Sequence, residues 1–320
     1  MRWGLIGTRG YAARSAAPGI SAAERAEFVA VLGRDPEHTK GFGDEHGVEP
    51  FTDLRSFLAF GLDVVWIATP TWLHHDQSVA ALVSGVHVLC EKPLAGNSGA
   101  AWDMVETAQR AGRVLATGYQ GRYVPGHHEM HRLIADGAVG DVTVARTYYG
   151  VHRPGPPPEW RRRRETATWG ALADIGTHHI DLLRMLLGEV VEARGLTGHQ
   201  LGFETEDVAA TALRFASGVL ATLTATVNVW RQQTRVEVHG TSGLLVATDT
   251  NPAGAGDVVL YDGSVEEGRD VTGARPGSVW ALQVDTVTAA AMGEDVPYAT
   301  GADGARNIEI LEALSLDATT

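Results

Sequence analysis

Three polar side chains carry the strongest chemical signal in this sequence: Lys92, Asp174 and His178. Lys92 closely follows V-H-V-L-C at 86–90, an apolar run that predicts a strand. It therefore stands at the C-terminal end of that strand, where open α/β sheets gather their ligands. An ammonium there can hydrogen-bond a reacting oxygen and favour a developing alkoxide. Asp174 and His178 lie four apart in a stretch predicted to be helical over 171–187, which puts both on one face. An imidazole titrating near ~6.5 suits proton exchange with a hydroxyl or carbonyl, and Asp174 can orient the ring or bind the substrate. Neighbouring His179 is expected to point elsewhere and serve structure; Asp181 is expected to help hold a domain interface.

A second set of residues suits a phosphate-bearing ligand. G-L-I-G-T-R-G-Y-A at 4–12 runs from a predicted strand into a predicted helix. Gly7, Thr8, Arg9, Gly10 and Tyr11 would thus offer backbone N–H groups and a helix start to a pyrophosphate. Gly7 and Ala12 fit the usual glycine fingerprint, but Arg9 replaces its second glycine and Gly10 follows. Arg9 is expected to crowd the closest backbone approach, and a turn that serves packing alone is the alternative. The second predicted strand ends Leu32-Gly33-Arg34, with no carboxylate to hold the ribose hydroxyls of NAD. Arg34, helped by Arg9, can pair with a 2′-phosphate. NADP is therefore expected over NAD, against the alternative of Arg34 as a solvated surface arginine.

These residues need a scaffold, and the sequence supplies one of α/β class. Predicted strands at 3–7, 28–32, 63–69, 86–90 and 114–117 alternate with predicted helices at 12–26, 53–59, 76–84 and 100–111. Strands apolar on both faces and separated by helices imply a doubly wound parallel sheet, a Rossmann domain over 1–120. From 121 the texture changes. Helices are predicted near 127–136 and 171–187, and alternating strands at 142–149, 207–215, 219–229, 234–239 and 244–248. Two closing helices follow at 279–292 and 302–316. Residues 121–320 thus read as an α+β domain with a large, mostly antiparallel open sheet.

Bulk properties exclude several classes. Asp and Glu outnumber Lys and Arg by 39 to 26, a net charge of -13, which opposes a nucleic-acid surface or a polybasic membrane patch. Cys90 is the sole cysteine, so no intrachain disulfide can form. No apolar run approaches the ~20 residues of a membrane span, and no signal peptide is legible; a cytoplasmic protein is expected. Three histidine pairs, 74–75, 127–128 and 178–179, would be poor chelates on helices, and no H-E-x-x-H or CxxC motif occurs. No metal is expected.

Ile67-Ala68-Thr69-Pro70, then His74, then G-V-H-V-L-C-E-K-P-L-A at 85–95 form a succession with a known likeness. It resembles the glucose-fructose oxidoreductase / inositol dehydrogenase / MocA family of NAD(P)-dependent enzymes. D-I-G-T-H-H-I-D at 174–181 resembles the family's second signature, and V-H-G-T-S-G at 238–243 extends the likeness. The W-G-L-I-G opening, a proline-rich loop (Pro154, Pro156, Pro157, Pro158) and Trp160-Arg161 are most similar to its NADPH-dependent anhydrofructose and related ketose reductases. The resemblance implies hydride exchange between nicotinamide and a hydroxyl or carbonyl carbon of a sugar, anhydro-sugar or cyclitol. It implies Lys92, Asp174 and His178 as catalytic, and Thr69, Pro70, His74, Glu91 and Lys92 beside the cofactor. Arg122, Tyr123, Trp160 and Arg161, with Asp174 and His178, are implied at the substrate. A cis Lys92–Pro93 bond and a homodimer or homotetramer are also implied, and the resemblance assigns substrate binding and oligomerisation to the α+β domain at 121–320. Arg161–Arg164 otherwise reads as a solvated loop face, and Arg122 and Tyr123 stay open between pocket and packing. The rival function is a non-enzymatic sensor that binds dinucleotide or sugar, favoured by Arg9 but not by the presence of Lys92, Asp174 and His178.

Overall fold

A computed structural model describes residues 1–152, 155, 157–250, 256–264, 266–274 and 277–316. Pro154 and Pro156 of the proline-rich loop lie outside these described residues. The chain divides into two compact units, 1–119 with 278–308, and 120–277 with 309–320.

In the first unit six parallel strands run β1 (Arg2–Ile6), β2 (Glu27–Leu32), β3 (Glu49–Phe51), β4 (Val64–Ile67), β5 (His87–Cys90) and β6 (Leu115–Thr117). Their order in the sheet is β3-β2-β1-β4-β5-β6. Every residue of β4 and β5 is buried, as expected for strands covered on both faces. Order reverses between β1 and β4, and the C-terminal ends of strands at such a switch point are where these sheets take ligands. A π-helical turn, Ala12–Ala16, leads into α1 (Ala17–Ala22). The other helices of this stretch are α2 (Pro36–His46), α3 (Leu54–Leu58), α4 (His74–Val83) and α5 (Ser98–Ala111). Asp35, Asp53 and Asn97 cap α2, α3 and α5 by accepting from backbone N–H groups of the first turn.

The second unit holds α6 (Pro125–Ala135), β7 (Val142–Gly150), α7 (Glu159–Arg162) and α8 (Arg164–Ala167). A second π-helical turn, Leu172–Gly176, opens α9 (Thr177–Leu187). Strands β8 (Val190–Gly198), β9 (Val208–Phe215), β10 (Leu220–Thr226), β11 (Gln233–Gly240), β12 (Leu244–Thr248), β13 (Asp257–Tyr261) and β14 (Arg269–Asp270) follow. The sheet order is β14-β13-β12-β11-β7-β10-β9-β8, antiparallel except where β10 pairs with β7. Along β9, V-A-A-T-A-L-R-F alternates buried and exposed, so one face of the sheet packs inward and the other meets solvent.

Two helices close the chain, α10 (Val279–Ala291) and α11 (Gly301–Leu316). The sequence assigns everything after 120 to the second domain, whereas 278–308 packs with the first unit. Val284 and Val287 of α10 join Trp3, Ile20 and Trp66 in one apolar cluster. Trp3 Nε1 also donates to Thr288 Oγ1 at 3.0 Å. An apolar stripe on α10 seals the helical face of the parallel sheet, a long-range match that no local pattern announces. Among the described residues no helix is long and apolar enough to cross a membrane.

Candidate active site

The glycine turn is shaped for close approach. Gly7 has φ +122°, and a Cβ there would stand 2.9 Å from the Ala68 carbonyl oxygen and 3.1 Å from the Ala12 Cβ. Gly10, at φ +61°, takes the left-handed position, so Arg9 needs no backbone strain. The Thr8 carbonyl accepts from His38 Nε2 at 3.1 Å, which ties the turn to α2. Arg9 and Arg34 are exposed, and neither has an ion-pair partner among the described residues. Gly33 is hemmed in: a Cβ would fall 2.1 Å from Thr39 Oγ1 and 2.9 Å from Thr8 Cγ2. No carboxylate could stand there without displacing the buried Thr39.

The ends of β4 and β5 are braced by His74. Its ring is 1% exposed, with Nε2 2.8 Å from the Thr69 carbonyl and Nδ1 2.9 Å from the Pro93 carbonyl. Burial lowers its proton affinity, while those two carbonyls favour the imidazolium. His74, expected beside the cofactor, is enclosed by backbone and links the Thr69-Pro70 turn to the cis Lys92–Pro93 turn. Thr69 Oγ1 donates to Gln77 Oε1 at 2.7 Å.

Glu91 is also turned inward. It is 7% exposed and accepts from Trp66 Nε1 at 3.1 Å and from the Tyr11 hydroxyl. Tyr11 in turn accepts from Trp280 Nε1 at 2.8 Å. Burial raises the Glu91 carboxyl to about 7, against the opposing pull of Lys92. Lys92 itself is partly exposed, next along the chain.

In the second unit the D-x-G-x-H segment stands out by exposure. Of residues 171–184, only Asp174 and His178 are not buried. Asp174 sits in the π-helical turn rather than in the regular helix the sequence predicts, and His178 in the first turn of α9. Such wide turns recur at functional sites because they re-aim one side chain without ending the helix. Asp174 pairs with Arg161, whose guanidinium lies 4.9 Å over the Trp160 ring. The structure thus joins Trp160, Arg161 and Asp174. Arg122 is bound to Asp181, and Tyr123 is 4% exposed. His179 stacks on Tyr149 at 4.9 Å and meets Thr147 Oγ1; its burial lowers the pKa to about 3.

Comparison with known proteins now decides the lineage. A family profile described as an oxidoreductase family with an NAD-binding Rossmann fold matches residues 1–119, and a GFO/IDH/MocA C-terminal domain matches 127–246. The 1,5-anhydro-D-fructose reductase of Ensifer adhaerens is 32% identical over 309 residues, 95% of this chain and 92% of that protein. The chain belongs to the GFO/IDH/MocA oxidoreductase family. The levoglucosan dehydrogenase of Pseudarthrobacter phenanthrenivorans is 30% identical over 66% of this chain and 61% of its own length. The aldose-aldose oxidoreductase of Caulobacter crescentus, solved with glycerol, superposes with a TM-score of 0.89 at 26% identity. That match covers 99% of this chain and 97% of the other.

Within this GFO/IDH/MocA member some residues of the site carry no motif. His38, under Thr8, lies in a Pro- and Gly-containing stretch that hides α2 in the sequence. Trp66 and Trp280 hold Tyr11 and Glu91 from opposite ends of the chain. Their only sequence signal is that buried indole N–H groups need acceptors.

Proposed function

We propose that this GFO/IDH/MocA member is an NADP(H)-dependent oxidoreductase acting on a hydroxyl or carbonyl carbon of a sugar, anhydro-sugar or cyclitol. The observation that carries it is the exposure of Asp174 and His178 alone on an otherwise buried stretch of helix. A carboxylate and an imidazole kept partly accessible there suit proton exchange with a substrate hydroxyl. Arg161 and Trp160 beside Asp174 offer a forked donor and an apolar face, which suits a polyhydroxylated ring. The names of the matched relatives, which include anhydro-sugar enzymes, point the same way.

The glycine turn fits a dinucleotide. Gly7 lets the end of β1 pack closely on Ala68 and Ala12, and residues 8–11 lead from that strand into the start of the first helix, the setting in which backbone N–H groups take a pyrophosphate. Gly33, with no space for a carboxylate, and Arg9 and Arg34, without an ion-pair partner among the described residues, favour a 2′-phosphate. The bound nicotinamide supplies the hydride chemistry. Lys92 steadies negative charge on the reacting oxygen, and His178 passes the proton, with Asp174 held in place by Arg161.

The test is NADPH and NADH binding by fluorescence, then a turnover screen over sugars, anhydro-sugars and cyclitols. Lys92→Ala and His178→Ala should each lower turnover about 10²-fold or more. Binding without turnover on any candidate would favour the sensor function instead.

A further inference from the structure

The second unit contains a four-residue segment, Glu204-Thr205-Glu206-Asp207, that no motif singles out. Each residue of it holds a different piece of backbone. Thr205 is 2% exposed, and its hydroxyl donates to the Arg161 carbonyl at 2.9 Å. Glu204 N–H donates to the Arg162 carbonyl at 3.0 Å, while its carboxylate accepts from Arg164 N–H at 3.1 Å. Glu206 turns the other way. Its Oε1 accepts from Gly170 N–H at 2.8 Å and Leu172 N–H at 3.0 Å, and its carbonyl accepts from Ala171 N–H at 2.8 Å. Asp207 anchors the segment, donating to the Gly198 carbonyl and accepting from Val227 N–H, both at 3.0 Å.

Two partners of one ion pair are therefore fixed from a single place. Arg161 is held through its own carbonyl, and the turn that carries Asp174 is held at its first N–H groups, which have no helical partners. The contact is close enough to dictate sequence: a Cβ at Gly170 would lie 1.9 Å from the Glu206 carbonyl oxygen. Arg161 keeps a third of its side chain exposed, so its own packing leaves it free to move. An ion pair at such a site holds its geometry only when the backbone on both sides is fixed.

We propose that Thr205 and Glu206 are positioning residues, which set the Arg161–Asp174 pair and the presentation of His178 by gripping both backbones at once. Their importance for catalysis rests on the function proposed above; their grip on the ion pair does not. The Arg161–Asp174 coupling is read from urea-unfolding midpoints of wild type, Arg161→Met, Asp174→Asn and the double variant. The same cycle is then repeated on Thr205→Val, which is nearly isosteric and loses only the hydroxyl donor. The coupling should fall by more than half in Thr205→Val and in Glu206→Ala, and survive in Glu206→Gln, which keeps an acceptor oxygen. If Glu206→Ala does not fold, Thr205→Val and Glu206→Gln decide. No coupling in wild type, or undiminished coupling in Thr205→Val, overturns the proposal whether or not a substrate is found. With a substrate in hand, Thr205→Val should lower kcat several-fold in the wild-type background and hardly at all in Arg161→Met. Equal losses in both backgrounds would mark Thr205 as merely structural and overturn it too.

Discussion

Arg122 and Asp181 meet in a two-pronged ion pair, Nε to Oδ2 and Nη2 to Oδ1, both at 2.8 Å. Asp181 is 2% exposed and the Arg122 side chain 16%. The guanidinium fork matches a carboxylate in this way, which lysine cannot do. Removing one partner of a buried pair costs about 3–5 kcal/mol, because the other charge stays behind in a poor solvent. Arg122→Met should therefore lower the urea midpoint sharply, and the R122M/D181N double variant should recover much of the loss. An unchanged midpoint with a raised KM would return Arg122 to the substrate pocket.

Arg34 is exposed at the end of β2, beside a glycine that admits no side chain. Arg34→Ala should weaken NADPH binding about tenfold or more, which is ~1.4 kcal/mol, and leave NADH binding nearly unchanged. Fluorescence titrations with both nucleotides check this. Equal losses for the two would remove Arg34 from cofactor discrimination.

His127 and His179 make the fold sensitive to acid. Both are buried, and burial lowers His127 to about 4 and His179 to about 3. His127 is set between the Gly121 carbonyl and Thr250 Oγ1, at 2.8 and 2.9 Å. An unfolded imidazole takes its proton near ~6.5, so below that the unfolded chain binds more protons than the folded one. Their contribution to stability is full above that pH and falls as the pH drops toward the two folded values. Urea midpoints measured from pH 7.5 to 4.5 should decline, less steeply in His127→Gln. A flat profile would contradict the buried, neutral assignment.

Glu91 works in the opposite direction. Its carboxyl, raised to about 7 chiefly by burial, keeps its proton in the folded chain after the unfolded one has lost it near ~4.3. Its contribution is thus present at low pH and lost as the pH rises through about 7. Glu91→Gln cannot titrate, so its stability relative to wild type should be greater at pH 8 than at pH 5. The same difference at both pH values would show that Glu91 does not ionise in this range.

Much of the architecture was legible because it is local. The apolar runs of β4 and β5 and the turn at Gly7 appear in the sequence where the structure has them. Asp174 and His178 are the two partly exposed positions of residues 171–184, with a π-helical turn between them that the sequence does not announce. Other elements were hidden by composition. P-E-H-T-K-G-F-G-D-E-H has too few apolar residues and two glycines, yet it forms α2 because Asp35 caps it and Phe42 packs beneath. Strand β8 alternates weakly, with Gly195 and exposed Leu196, and is ordered by pairing with β9 rather than by propensity. Side-chain fates were the least legible. Nothing local says that Glu91 turns toward Trp66, that His74 is enclosed by carbonyls, or that Asp181 claims Arg122.

If the protein uses NADP as proposed, the packing of Gly33 against Thr39 also bears on how it could change its coenzyme. The simplest route toward NAD, a single acidic substitution at position 33, meets Thr39 Oγ1 first and Thr8 Cγ2 next. Thr39 would have to shrink first, giving up its hydrogen bond to the Asp35 carbonyl and loosening the start of α2. A laboratory selection for coenzyme switching should therefore recover paired changes at 33 and 39, in that dependence, before any lone replacement at 33.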